Sequence, residues 1–157
     1  MSEMLGNQYF MARKYENALK EFEECEAQGK ANKSMRKKMV ICYTQVGNIT
    51  KAAEVLKDLV YEDLDFILNT DPLNDDCPCT QLVTELEAKS NYTIQSFDYL
   101  LALGILWLYC DLNKAVEYFK KARELKADDN TSTILIRLIQ KQNERKNLTT
   151  TKIKKNS

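Results

Sequence analysis

A chain of 157 residues is long enough for one domain that buries roughly 68–70% of the surface its unfolded form exposes. Four glycines and two prolines signal few turns, while plentiful Ala, Leu, Lys, Glu and Gln favour helices, so the expected fold class is all-α. Basic and acidic residues balance at 23 each and histidine is absent. The charge balance gives no overall field towards nucleic acid or an anionic membrane, and neither is an expected partner. Without histidine the commonest general base, the usual zinc nitrogen ligand and every Ser-His or Cys-His pair are missing. No glycine-rich phosphate loop is present either, so neither an enzyme nor a bound cofactor is expected.

The opening MSEMLGNQYF lacks the basic stretch and apolar core of a secretory leader. Apolar periodicity predicts helices over Glu3–Lys14 and Tyr15–Gln28, with Gly29 suited to the end of the second. The next pair is predicted over Lys33–Val46 and Ile49–Asn69, with Gly47 closing its first member. Asp71–Cys79 contains both prolines and several acceptor-rich residues, which makes it a loop. A weak helix follows at Thr80–Lys89, then Thr93–Tyr109 with Asn91 as its cap, Leu112–Lys126 and Thr131–Lys146. The longest apolar run, Leu100 to Cys110, is about half the ~20 residues that cross a bilayer as a helix, so it reads as a buried helix. A cytoplasmic chain with five reduced cysteines is the expectation.

These helices carry an internal repeat. Leu5, Gly6, Tyr9, Ala18, Phe22 and Cys25 align with Met39, Val40, Tyr43, Ala52, Leu56 and Leu59, each 34 residues on. A third copy is Ala102, Leu103, Leu106, Ala115, Phe119 and Ala122. A small residue followed by a large one a turn later lets the second helix of each pair approach the first closely. The period and order resemble the tetratricopeptide repeat, whose unit is two antiparallel helices, A and B. The resemblance implies an α-α superhelix, a solenoid built from repeats at about 1–32, 33–66 and 95–128. Ala52 and Ala115 are 63 residues apart, short of two full repeats, so an irregular insert is expected at 67–94. A cap helix at 131–147 would complete a single domain, 1–147. A basic disordered tail is expected at 148–157.

In that family the A helices line a concave groove. Carried over by register, the residues implied to face a partner are Asn7 and Met11, then Lys37, Lys38, Ile41 and Gln45, then Leu100, Leu101, Gly104 and Leu108. One end of such a groove is basic and the other apolar. The subset of the family that clamps the acidic tails of chaperones is matched at Asn7 alone, so that ligand is not expected. The implied function is a scaffold or assembly adaptor that holds a peptide or helix of a partner protein, with self-association as the alternative. Phe97–Tyr109 contains Asp98 as its sole charge, and a helix apolar all round must be covered all round. It is therefore either the main docking surface or wrapped by Thr80–Lys89. Cys77-Pro78-Cys79 is the one motif with thiol or metal chemistry, but no histidine or second cysteine pair lies within sequence reach for zinc.

Overall fold

The computed structural model describes residues 2–71, 74–75, 77–89 and 96–155, with the backbone alone for Ser2 and residues 150–155. Among these residues all regular structure is helical: α1 (Ser2–Met11), α2 (Tyr15–Ala27), α3 (Lys33–Gln45), α4 (Ile49–Leu68), α5 (Cys79–Ala88), α6 (Phe97–Leu108), α7 (Leu112–Leu125) and α8 (Asp129–Lys155). None of the described helices is long and apolar enough to cross a membrane.

Local chemistry sets these ends. The Asn32 side chain accepts from the Met35 amide at 2.8 Å, and Asn48 and Ser96 do the same for Lys51 and Tyr99 at 3.2 and 3.1 Å. Asp111 caps α7 through the Asn113 and Lys114 amides. Gly29 (φ +71°) and Gly47 (φ +85°) stop α2 and α3 in the left-handed region, where a side chain would be strained. Beyond them the amides of Lys30 and Asn48 return to the carbonyls of Cys25 and Tyr43, both at 2.9 Å. Arg13 takes the same backbone region (φ +62°) between α1 and α2 without that freedom.

Two elements differ from expectation. Asp63 (φ −164°, ψ 81°) breaks α4, and its carboxylate accepts from the Phe66 amide at 3.2 Å, so it restarts the helix as a fresh cap. The disordered tail expected at 148–157 is helical as far as Lys155, since no glycine or proline interrupts residues 129–155. The cap expected at Asn91 lies outside the described residues.

Three hairpins, α1–α2, α3–α4 and α6–α7, make the most extensive contacts. Their B-type helices bury the small and large residues of the sequence repeat completely: Ala18 and Phe22, Ala52 and Leu56, Ala115 and Phe119 are all 0% exposed. In two hairpins the ring packs onto a glycine of the first helix. A Cβ on Gly6 would stand 2.5 Å from the Phe22 ring, and one on Gly104 would stand 2.9 Å from Phe119. Burial of each phenylalanine contributes about 1.5–3 kcal/mol.

α4 also packs against α6 and α8, and α8 lies on α7 as well. The α8 residues Ile134, Leu135 and Leu138 are buried in the common core. Thr131, also fully buried, has its amide and hydroxyl satisfied by the Asp128 carboxylate at 3.2 and 3.1 Å. Tyr61 donates to the Thr133 carbonyl at 3.3 Å, and Lys141 pairs with Asp65 at 2.7 Å.

Candidate binding pocket

Positive charge at a helix N-terminus opposes the helix dipole, so the basic run at the start of α3 needs partners. The second half of α4 and its approach supply them: Lys33 pairs with Asp63 at 3.3 Å and Arg36 with Glu62 at 2.8 Å. The next residues, Lys37 and Lys38, face a pocket of about 490 Å3. Its walls are Phe10 from α1, Ser34, Lys37, Lys38 and Ile41 from α3, Asp63, Asp65, Phe66, Asn69 and Thr70 from the end of α4, and Asp75, Cys77 and Tyr109.

Lys37 is held against one wall. Its ammonium donates to the Phe66 carbonyl at 3.3 Å, sits 4.7 Å over the Phe66 ring and lies 3.9 Å from Asp75. With its side chain only 14% exposed, burial lowers its pKa, and Asp75 partly opposes that shift. Lys38 donates to the Asn7 side-chain carbonyl at 2.8 Å, which links α3 to α1. Tyr109 is 1% exposed and donates to the Lys37 carbonyl at 2.6 Å, fastening the end of α6 to the pocket wall. Burial drives its hydroxyl pKa well up, so it stays a donor. The arrangement offers ammonium groups, a serine hydroxyl and aromatic faces, a set suited to receiving a polar or anionic side chain.

The residues expected to face a partner therefore divide. Lys37, Lys38 and Ile41 line the pocket, and Asn7 reaches it through Lys38. Met11 is 61% exposed on α1 and outside the lining, where its neighbour Phe10 stands instead. Gln45, two turns along α3, lies between two other clefts: one with Leu82, Glu85 and Leu106, and a shallow one of about 770 Å3 along Tyr15, Lys20 and Glu23 of α2. The shallow cleft is larger, but it lacks the convergence of α1, α3, α4 and α6 that encloses Lys37.

The apolar end of the expected groove is corrected. Leu100, Leu101 and Leu108 are 3%, 2% and 1% exposed, interior residues of an α6 that α4, α5 and α7 surround. Gly104 meets the Phe119 ring of its own hairpin, one residue beyond the position that the repeat alignment paired with Gly6. The cover is α5, whose Leu82 and Val83 are buried. Its Leu86 carbonyl accepts from the Tyr99 hydroxyl at 3.2 Å, and its Glu87 carboxylate accepts from Trp107 Nε1 at 2.9 Å and the Tyr118 hydroxyl at 3.1 Å.

Sequence reasoning missed Phe66, Asp75 and Tyr109 as pocket residues. Tyr109 carried a signal, because a hydroxyl at the end of an otherwise apolar helix needs a polar partner when buried. Asp75 carried none. Likewise Cys77 and Cys79 gain a third thiol, Cys110, from the turn after α6, although the five cysteines are all unpaired. Among the described residues no group of three or more potential ligands has a geometry that could hold a metal ion. No protein-family model matches the chain, and no match was found among curated proteins or among solved structures.

Proposed function

We propose that the chain is a tetratricopeptide-type scaffold that holds an acidic peptide segment of a partner protein, with Lys37 and Lys38 as the cations that donate to its carboxylates and Ile41, Phe66 and Phe10 as its apolar wall. The observation that carries this reading is the pocket itself: about 490 Å3 enclosed where residues of three helical hairpins converge on two lysines. The Gly–Phe contacts at Gly6 and Gly104, and the fully buried Ala18, Ala52 and Ala115, support the repeat register on which a superhelix with a concave face is built.

Two of the three acids that line the pocket are already paired with lysines outside it, which weakens their repulsion of an anionic ligand. Asp63 is paired with Lys33 at 3.3 Å and Asp65 with Lys141 at 2.7 Å, so their charges are already compensated. Asp75 stands 3.9 Å from Lys37, the longest of these pairs. An incoming carboxylate would compete with that contact for Lys37, and the partly desolvated ammonium gains from a nearer one.

Selection from a random peptide display library on the purified full chain tests the reading. Enriched peptides should carry Asp or Glu, and Lys38→Ala or Lys37→Met should weaken the best of them by about tenfold, the worth of one charge-assisted hydrogen bond. Enrichment of peptides without acids, or affinities unchanged in both variants, contradicts it. A second reading, self-association through α1, is favoured by the exposure of Met4 (71%), Leu5 (38%) and Met11 (61%). Light scattering separates the two: a concentration-dependent dimer that Met4→Lys with Met11→Lys abolishes belongs to the second.

A further inference from the structure

The chain is neutral as a whole, yet acid is concentrated on one helix and base on another. α2 carries five glutamates against Lys20 alone, a net −4, while residues 145–155 of α8 carry five basic residues and no acid, a net +5. Among the described residues no ion pair reaches any of the five α2 glutamates. Glu24 and Glu26 also stand in the last turn of α2 with no basic residue beside them, where negative charge opposes the helix dipole. Along this helix runs the shallow cleft of about 770 Å3, lined by Glu16, Glu23 and Glu24 together with Tyr15, Leu19 and Val46.

The far end of α8 has no cover of its own. Gln142 donates to Asn113 of α7 at 2.8 Å, and beyond it residues 143–149 are all exposed, about two turns of helix with no buried face. The backbone stays helical as far as Lys155. A helical stretch of this length is marginal in water by itself, and one that is polar all round needs a neighbour of opposite charge.

We propose that this arm, residues 143–155, docks along the α2 cleft of a second copy of the chain, with its cations against Glu16, Glu23 and Glu24. The fit is one of length, charge and shape. α2 and the arm are each 13 residues, about 20 Å of helix. Leu148, 63% exposed on the arm, meets the apolar part of the cleft beside Val46, itself 42% exposed. The arm does not reach α2 of its own chain, because α8 is one continuous helix and residues 143–149 remain exposed. Copies that are neutral overall do not repel, and their opposite local fields orient the encounter. Each copy offers one arm and one cleft, so two copies that exchange arms satisfy both and close the assembly. The cleft shares no lining residue with the Lys37 pocket, and the contact does not rest on peptide binding.

Sedimentation velocity of the full chain over a concentration series, at about 0.01 M and again at about 1 M salt, tests this. The Debye length falls from about 30 Å to about 3 Å between the two, and association should weaken by at least about tenfold. Arg145→Glu with Lys152→Glu, and separately Glu16→Lys with Glu24→Lys, should each sediment as a monomer at low salt while circular dichroism shows an unchanged helical fold. Mixed together, the two variants should associate again, since the acidic arm of one meets the basic cleft of the other. A wild-type chain that stays monomeric at low salt, association indifferent to salt and to both reversals, or variants that remain apart when mixed would each overturn the proposal. So would a monomeric wild type whose binding to a single-stranded RNA oligonucleotide is lost with the arm reversal, which would assign the arm to nucleic acid.

Discussion

α3 and α6 occupy equivalent places in their hairpins, yet their exposed sides meet different fates. α3 presents Lys37 and Lys38, which α4 and the loop beyond it only partly enclose, and a pocket remains. α6 presents leucines, and the chain supplies its own cover in α5. A repeat register specifies which residues pack inside a hairpin. What happens on the other side depends on whether water or an apolar neighbour solvates it better. Charged residues keep α3 partly open; a helix with Asp98 as its lone charge closes on whatever amphipathic segment is nearest.

The largest test of this contrast introduces a charge on each side. Leu101→Asp or Leu108→Asp places an unpaired carboxylate in a closed interior and should cost at least about 4 kcal/mol, enough to unfold a marginal chain in a thermal melt. Lys38→Asp, on the open side, should shift Tm by only a few degrees. Equal losses would erase the distinction between the two helices.

Next in size are the close approaches inside the hairpins. Gly6→Ala and Gly104→Ala should each cost about 1–3 kcal/mol in chemical denaturation, because a buried phenylalanine ring has to move. Gly6 should be the more sensitive, since its Cβ would lie at 2.5 Å against 2.9 Å for Gly104. Ala18→Leu and Ala52→Leu, overpacking the same seams, belong in the same range. Neutral effects at all four positions would remove the repeat register.

Loosening the cover should be milder. Glu87→Ala deprives Trp107 Nε1 and the Tyr118 hydroxyl of their shared acceptor and should cost about 1–3 kcal/mol. Amide exchange should then accelerate in α5 before it does in α3, since α5 is the element released.

The smallest effect is at the rim of the pocket. The hydrogen bond from Lys141 holds the Asp65 carboxyl below the usual carboxylate range. A carboxyl with a lowered folded pKa stabilises the fold above its unfolded pKa and loses that contribution as pH falls through the lowered value. Lys141→Met should therefore return Asp65 to ordinary titration in an NMR pH series and make the melt less acid-sensitive below about pH 4, by a small margin because the Asp65 carboxylate is exposed.

The helices themselves were legible because their signals are local. Gly29 and Gly47 mark ends through chemistry within a few residues, and the spacing of Ala18 to Ala52 marks packed faces. One wall of the pocket was legible for the same reason: Lys37, Lys38 and Ile41 share one helical face. Phe66 and Asp75 were not, since their places depend on how the break at Asp63 and the path of the chain after α4 return segments distant in sequence. The polar end of α8 read as a tail because it lacks an apolar stripe, although nothing in it stops a helix.

Amide hydrogen exchange of the full chain, with and without a selected acidic peptide, measures most directly whether the open side of α3 is where a partner docks. Protection should rise in residues 34–41 and 63–70, around Lys37, Lys38 and Phe66, and α6 should stay as it was. Protection gained instead across Phe97–Leu108, with α3 unchanged, would mean that α5 yields its place to the ligand and that the pocket beside Lys37 is not the binding site.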